Sequence, residues 1–204
     1  MKNNQKIIRE KKETNLESST IESAAQVIKD GGVILYPTDT VWGLGCDATN
    51  PKAVEKIFNI KQRDEKKSLV ILVANLDMLA KYVKEIPNIA LDLIEVNTSP
   101  MTIIYPQAQG LAHNAIAEDG SVAIRIPMSQ FCQKLSYKTK KPIISTSANI
   151  SGEETPKRFK DIPEEIKNAV NYIVPPTIEE KSSTHKASQI IKVGVKGEIE
   201  IIRK

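Results

Sequence analysis

The sequence predicts an α/β fold built on a mixed sheet, and two observations carry the prediction. Short apolar runs alternate with stretches of helical periodicity between Ile21 and Ile144, the pattern of helices packed against a largely buried sheet. Residues 190–193 and 199–202 then flank Gly194 and Gly197 as an antiparallel hairpin would, so the sheet is not purely parallel. At 204 residues and 40% hydrophobic content the chain fills one well-buried core and leaves little for a second. One domain is expected over residues 16–204.

Each element follows from a local signal. Residues 1–15, with Lys2, Lys6, Arg9, Lys11 and Lys12, offer little to bury and predict a flexible basic arm. Ser18, Ser19 and Thr20 offer caps to a helix in which Ile21, Ala24, Ala25, Val27 and Ile28 recur at helical spacing, and Gly31 and Gly32 end it. Residues 33–36 read as a buried strand. Gly43-Leu44-Gly45 is a fragment of a dinucleotide-binding fingerprint and reads as a tight turn. Asn50-Pro51 has the cap-then-proline form of a helix start, and 69–73 is a second apolar strand. A helix over 76–97, strands at 101–105 and 122–126, a helix from Ser129 and a strand at 143–144 continue the alternation. Pro175, Pro176 and the polar stretch to Lys186 predict a long exposed loop.

Composition narrows the function classes. The net charge of +4, from 29 basic and 25 acidic residues, is a bias and not the dense cationic field of a dedicated nucleic-acid binder. Aromatic residues are only 4% of the chain, too few to interleave with its charges as base-stacking platforms. Cys46 and Cys132 have no metal-ligand spacing and are too few for a disulfide framework, which predicts small buried thiols in a reducing cytoplasm. No apolar run approaches the roughly 20 residues that span a bilayer, and no signal peptide is legible, so no membrane partner is expected. No P-loop or Gly-x-Ser-x-Gly elbow occurs, and His113 and His185 stand too far apart from other ligands to suggest a metal pair or a triad. Chemistry on such a chain works by positioning and electrostatics.

Four segments place polar or cationic residues at alternate positions, where an extended chain turns them to one side. They are Thr38 and Thr40; Lys61 and Arg63; Ser121 and Arg125; and Ser145, Ser147 and Asn149. Arg125 ends an apolar strand, which suits an anionic ligand or, equally, a structural salt bridge. Lys61 and Arg63 are expected in a loop after a helix, unneeded for packing, where they present two cations to phosphate; the neighbouring Asp64, Glu65, Lys66 and Lys67 also fit a solvated charge run. The run from Ser145 to Gly152 resembles an anion-binding turn, and an ordinary serine-rich loop has the same composition.

Taken together, these motifs resemble the YrdC-domain family of threonylcarbamoyl-AMP synthases. Tyr36-Pro37-Thr38-Asp39-Thr40-Val41-Trp42-Gly43-Leu44-Gly45 is similar to its opening signature. Lys61-x-Arg63 and Ser147-x-Asn149 match its KxR and SxN pairs, and Val122-Ala123-Ile124-Arg125-Ile126-Pro127 and Ser147-Ala148-Asn149-Ile150-Ser151-Gly152 fit as well. The resemblance implies a twisted mixed sheet with helices on both sides and a concave basic pocket. That pocket would take threonine, bicarbonate and ATP with Mg2+. It would form threonylcarbamoyl-AMP and pyrophosphate, the adenylate being used by a downstream tRNA threonylcarbamoyl transferase. The resemblance makes Lys61 and Arg63 catalytic. It gives Arg63, Ser121, Ser147, Asn149, Thr155 and Arg203 to ATP, and Thr40, Arg125, Ser145 and Ser188 to threonine.

The chain departs from the family at Lys67 and Ser68, at Leu72 where a histidine is usual, at Ser99-Pro100-Met101, and at Ser188-Gln189. These changes leave the phosphate end closer to the family pattern than the threonine end. Other readings are an RNA-binding or ribosome-associated module without catalysis, and a carbamoyl- or acyl-phosphate enzyme acting on another amine. Binding to tRNA or double-stranded RNA is expected to be weak.

Overall fold

The computed structural model describes residues 2–63 and 69–204, with side chains in the first helix described from residue 15. Helix α1 (Lys2–Lys29) leads into strands β1 (Ile34–Tyr36) and β2 (Gly43–Gly45), helix α2 (Pro51–Lys61) and β3 (Val70–Leu72). Helices α3 (Leu76–Leu79) and α4 (Asn88–Val96) precede β4 (Met101–Tyr105), β5 (Val122–Arg125), α5 (Gln130–Thr139) and β6 (Ile143–Ser147). Helix α6 (Glu164–Ala169), β7 (Tyr172–Ile173) and the hairpin β8 (Gln189–Val193) and β9 (Ile199–Arg203) complete the chain. Among the described residues the strands form one sheet of order β7-β1-β2-β6-β3-β5-β4-β8-β9. The pairs β1–β7, β3–β5 and β4–β8 are parallel and the rest antiparallel, so the predicted mixed sheet is present.

Local chemistry accounts for several boundaries. Asn50 caps α2 by accepting from the N–H groups of Lys52 and Ala53, with Pro51 at the first position. Ser129 caps α5 through the N–H of Cys132, as the sequence predicts. The expected helix over 76–97 is two helices: α3 ends at Leu79, Val83 forms a bridge to Ala108, and Pro87 precedes the start of α4. Helix α1 begins at Lys2 and runs through the boundary expected at residue 15. Ser19, expected as a cap, donates to the Leu16 carbonyl, and Ser23 to that of Ser19, as hydroxyls within a helix do.

Gly43-Leu44-Gly45 is a strand, not a tight turn, wedged between β1 and β6. A Cβ on Gly45 would lie 2.6 Å from Tyr36 Cε1 and 3.0 Å from the Ile144 carbonyl oxygen, so the glycine lets the Tyr36 ring cross the strand.

The pleat divides the sheet into two faces. Leu35, Leu44, Ile71, Ile103, Ile124 and Ile144 pack with α2 and α6 on one side. Ile34, Tyr36, Leu72 and Ile143 pack with α1 and α5 on the other. Cys46 and Cys132 are free, and burial pushes both thiols well up, consistent with small apolar roles. No helix among the described residues is long and apolar enough to cross a membrane.

Candidate active site

Helices α1 and α5 cover only one part of their face, and a cleft opens beside them. Register builds its floor: Val70 lies opposite Ser145 on one side and Ala123 on the other, and Gly43 lies opposite Ser147. Alternation then turns Ser145, Ser147 and Arg125 to the same face as Val70. The cleft, of about 290 Å3, is lined by Thr40, Arg63, Arg125, Ser145, Ser147, Thr155, Ser188 and Arg203 among others. Three arginines and a wall of hydroxyls face it, and no acidic residue is among the described residues that line it.

Arg125 is 4% exposed and is held from behind. Its Nη1 lies 3.1 Å from Asp39 Oδ1 and donates to Thr40 Oγ1 at 3.3 Å. Of the two readings left open for Arg125, the salt bridge is present, and the same side chain lines the cleft. Thr38 and Thr40 share a hydroxyl bond of 2.9 Å, and Thr38 also donates to the Val41 carbonyl. Ser188 bonds Thr102 across the strand gap at 2.8 Å, and Arg203 Nε donates to the Ser188 carbonyl at 2.9 Å. Burial lowers the Arg63 guanidinium, and burial together with Arg125 lowers that of Arg203, as clustered cations in a cleft require.

Lys61 departs from expectation. It is the last residue of α2 and not part of a loop, and it lies on the buried helix face with Val54, Ile57 and Phe58, 1% exposed. Its Nζ donates to the carbonyls of Ser147 and Asn149, while its own carbonyl accepts from the N–H of Ser151. Burial first, and Arg63 second, pull its ammonium down to about 8. Lys61 thus builds the serine-rich turn from beneath and does not line the cleft.

Two further candidates also lie off it. Asn149 is buried and turns its amide into its own turn, donating to the carbonyls of Ile150 and Glu153 at 2.9 Å. Ser121 donates to Asp119 Oδ1 at 2.6 Å and lines an adjoining groove with Ala123, Ile104, Lys192 and Glu200. Leu72 is buried beneath α1 and α5. Lys67 and the rest of the charge run over 64–68 lie outside the described residues. The predicted exposed loop after Pro175 is pinned: Glu180 accepts from Ser129 Oγ and the Phe131 N–H, and the buried Ser183 donates to the Thr40 carbonyl.

Sequence reasoning passed over Asp39. Alternation selects Thr38 and Thr40, but after Pro37 the chain is not a strand, and Asp39 turns inward to Arg125. A carboxylate amid apolar and hydroxyl residues, with an unpaired strand arginine elsewhere, was the available signal.

Comparisons with known proteins agree with this fold. Residues 26–204 match the model of the Sua5/YciO/YrdC family, described as "Telomere recombination". A threonylcarbamoyl-AMP synthase of Pseudoalteromonas translucida is 33% identical over 161 residues, covering 78% of this chain and 86% of the relative. One from Pseudomonas aeruginosa is 37% identical over 138 residues, or 67% and 74% of the two chains. The structure superposes on P. abyssi Sua5 complexed with L-threonine at a TM-score of 0.76 and 28% identity, covering 85% of this chain and 50% of that one. It also shares its fold with E. coli YciO, at a TM-score of 0.73 and 23% identity over 90% and 88% of the two chains. With its mixed sheet, its ordered motifs and a family match over most of its length, this chain belongs to the Sua5/YciO/YrdC family.

Proposed function

We propose that the chain is an L-threonylcarbamoyladenylate synthase. The observation that carries this reading is the cleft walled by Arg63, Arg125 and Arg203 and by the hydroxyls of Thr40, Ser145, Ser147, Thr155 and Ser188. Such a surface suits a substrate pair that brings a carboxylate and a triphosphate together. Relatives that bear the name threonylcarbamoyl-AMP synthase support the choice of substrates.

The threonine amine attacks bicarbonate and, with loss of water, becomes a carbamate. A carbamate oxygen then attacks the α-phosphorus of ATP, the bond from that phosphorus to the β-phosphate bridge breaks, and pyrophosphate leaves. Arg125, steadied by Asp39 and Thr40, is placed for the threonine carboxylate, with Ser145 and Ser188 beside it. Arg63, Arg203, Ser147 and Thr155 face the phosphates, where fixed cations stabilise the charge that develops on transfer. Lys61 and Asn149 hold the turn that carries Ser147, and the groove lined by Ser121 is read as the nucleoside end.

Among the described residues no group of three or more metal-ligating side chains is gathered. Magnesium is therefore read as part of the ATP substrate, carried on its phosphates. The product is a reactive mixed anhydride, which fits prompt use by a tRNA threonylcarbamoyl transferase in the same cytoplasm.

Pyrophosphate release, measured with ATP and a panel of amino acids with and without bicarbonate, tests the reading. Release is expected to require bicarbonate and to be fastest with threonine, with serine well behind it and unrelated amino acids giving none. Equal rates with unrelated amino acids, or no need for bicarbonate, would overturn it.

A further inference from the structure

Asp39 is buried, 4% exposed, and three segments meet on it. Its Oδ1 lies 3.1 Å from Arg125 Nη1 at the end of β5. Its Oδ2 accepts the Met128 N–H at 2.9 Å, which fixes the chain where it leaves that strand. Its carbonyl accepts the N–H of Thr184 at 3.0 Å and the Thr184 hydroxyl at 3.3 Å, which fixes the segment leading to Ala187 and Ser188. The next residue repeats the arrangement: Thr40 Oγ1 accepts from Arg125 and its carbonyl accepts from Ser183. Asp39 itself is absent from the cleft lining, whereas Arg125, Thr40 and Ser188 are part of it.

We propose that Asp39 is a positioning residue for the amino-acid substrate: it fixes the Arg125 guanidinium, and through its backbone the strand-leading segment 184–188, so that the carboxylate site is formed before the substrate arrives. The inference rests on threonine being the substrate. A guanidinium buried to this degree without a counter-charge is unfavourable, and a long side chain freed from its partner samples other rotamers. With Asp39 behind it, Arg125 keeps one orientation toward the cleft. Ser147 and Thr155, which face the phosphates, make no contact with Asp39 among the described residues, so the effect falls chiefly on the amino-acid end of the site.

The test is steady-state pyrophosphate release by the full chain and calorimetric titration of L-threonine, for wild type, Asp39→Asn, Arg125→Gln and the double variant. Asp39→Asn is expected to raise the threonine KM about ten- to hundred-fold, with the ATP KM moving less than about two-fold. Once Arg125→Gln is in place, adding Asp39→Asn is expected to cost no further threonine affinity, since the residue acts through the arginine. Equal rises in both KM values that follow a lowered thermal midpoint, or additive losses in the double variant, would overturn the proposal. If Asp39→Asn does not fold, Asp39→Glu carries the same test, because it keeps the charge but moves the carboxylate by one methylene. Wild-type chain that neither binds nor uses threonine would overturn the underlying reading. Wild-type binding with an unaffected Asp39→Asn would overturn this inference alone.

Discussion

Replacing Lys61 by methionine keeps most of the side-chain volume and removes all three N–H donors. The carbonyls of Ser147 and Asn149 then lose their donor, at about 1–3 kcal/mol for each buried group left unpaired. Against this stands relief from holding an ammonium in a buried site. That burden is visible in the fall of its pKa from 10.5 to about 8, equivalent to about 3 kcal/mol. The two effects largely offset at pH 7, so the variant should lie within about 3 kcal/mol of wild type. Because the folded value is below the unfolded one, the unfolded chain binds more protons between about pH 8 and 10.5, and wild-type stability rises with pH through that window. The neutral amine still has two N–H donors for its two carbonyls. From pH 7 to pH 9 the gain is about 1 kcal/mol, or about 2–4 °C in thermal midpoint for a chain of this size. The methionine variant has no group to titrate there, so wild type should gain that amount of stability relative to it. Thermal unfolding of both at pH 7 and pH 9 measures it, with pyrophosphate release alongside, where a loosened turn is expected to raise the ATP KM about ten-fold. A gap that does not change with pH, together with an unchanged ATP KM, would refute the assignment of Lys61 to the turn.

Arg63→Ala should lower pyrophosphate release at least about ten-fold if its proposed contact with the phosphates holds; a loss that merely followed the thermal midpoint would count against a direct role. Serine should be a poorer substrate than threonine by about ten- to two-hundred-fold in kcat/KM, the effect of one missing methyl in a fitted pocket, and equal values would remove the case for that fit. Gly45→Ala should destabilise by about 1–3 kcal/mol in a denaturant titration, because its methyl would meet Tyr36 and the Ile144 carbonyl; an unchanged midpoint would mean that the ring moves aside freely.

The sequence by itself determined the elements whose signals are local: the Asn50-Pro51 start of α2, the Ser129 cap of α5, the apolar strands and the closing hairpin. It also supplied Arg125, Ser145 and Ser147, which gather in the cleft because alternate positions in a strand share a face whatever the strand pairs with, while Lys61, Ser121 and Asn149, selected by the same alternation, lie off it. It contained, unread, the clue to Lys61, which follows Val54, Ile57 and Phe58 at helical spacing and so belongs to the buried face of α2. What only the tertiary structure decided is partnership across the chain. Gly43-Leu44-Gly45 resembles a turn until Tyr36 crosses it and β6 pairs with it, since two glycines have no β preference of their own. Lys61 meets carbonyls 86 and 88 residues away, and Arg125 meets Asp39 across 86 positions of sequence (125 − 39). No period or spacing encodes such contacts. They arise because burying a charge is tolerable only where the fold delivers its partner, and that delivery depends on sheet order, not on any residue's neighbours in the chain.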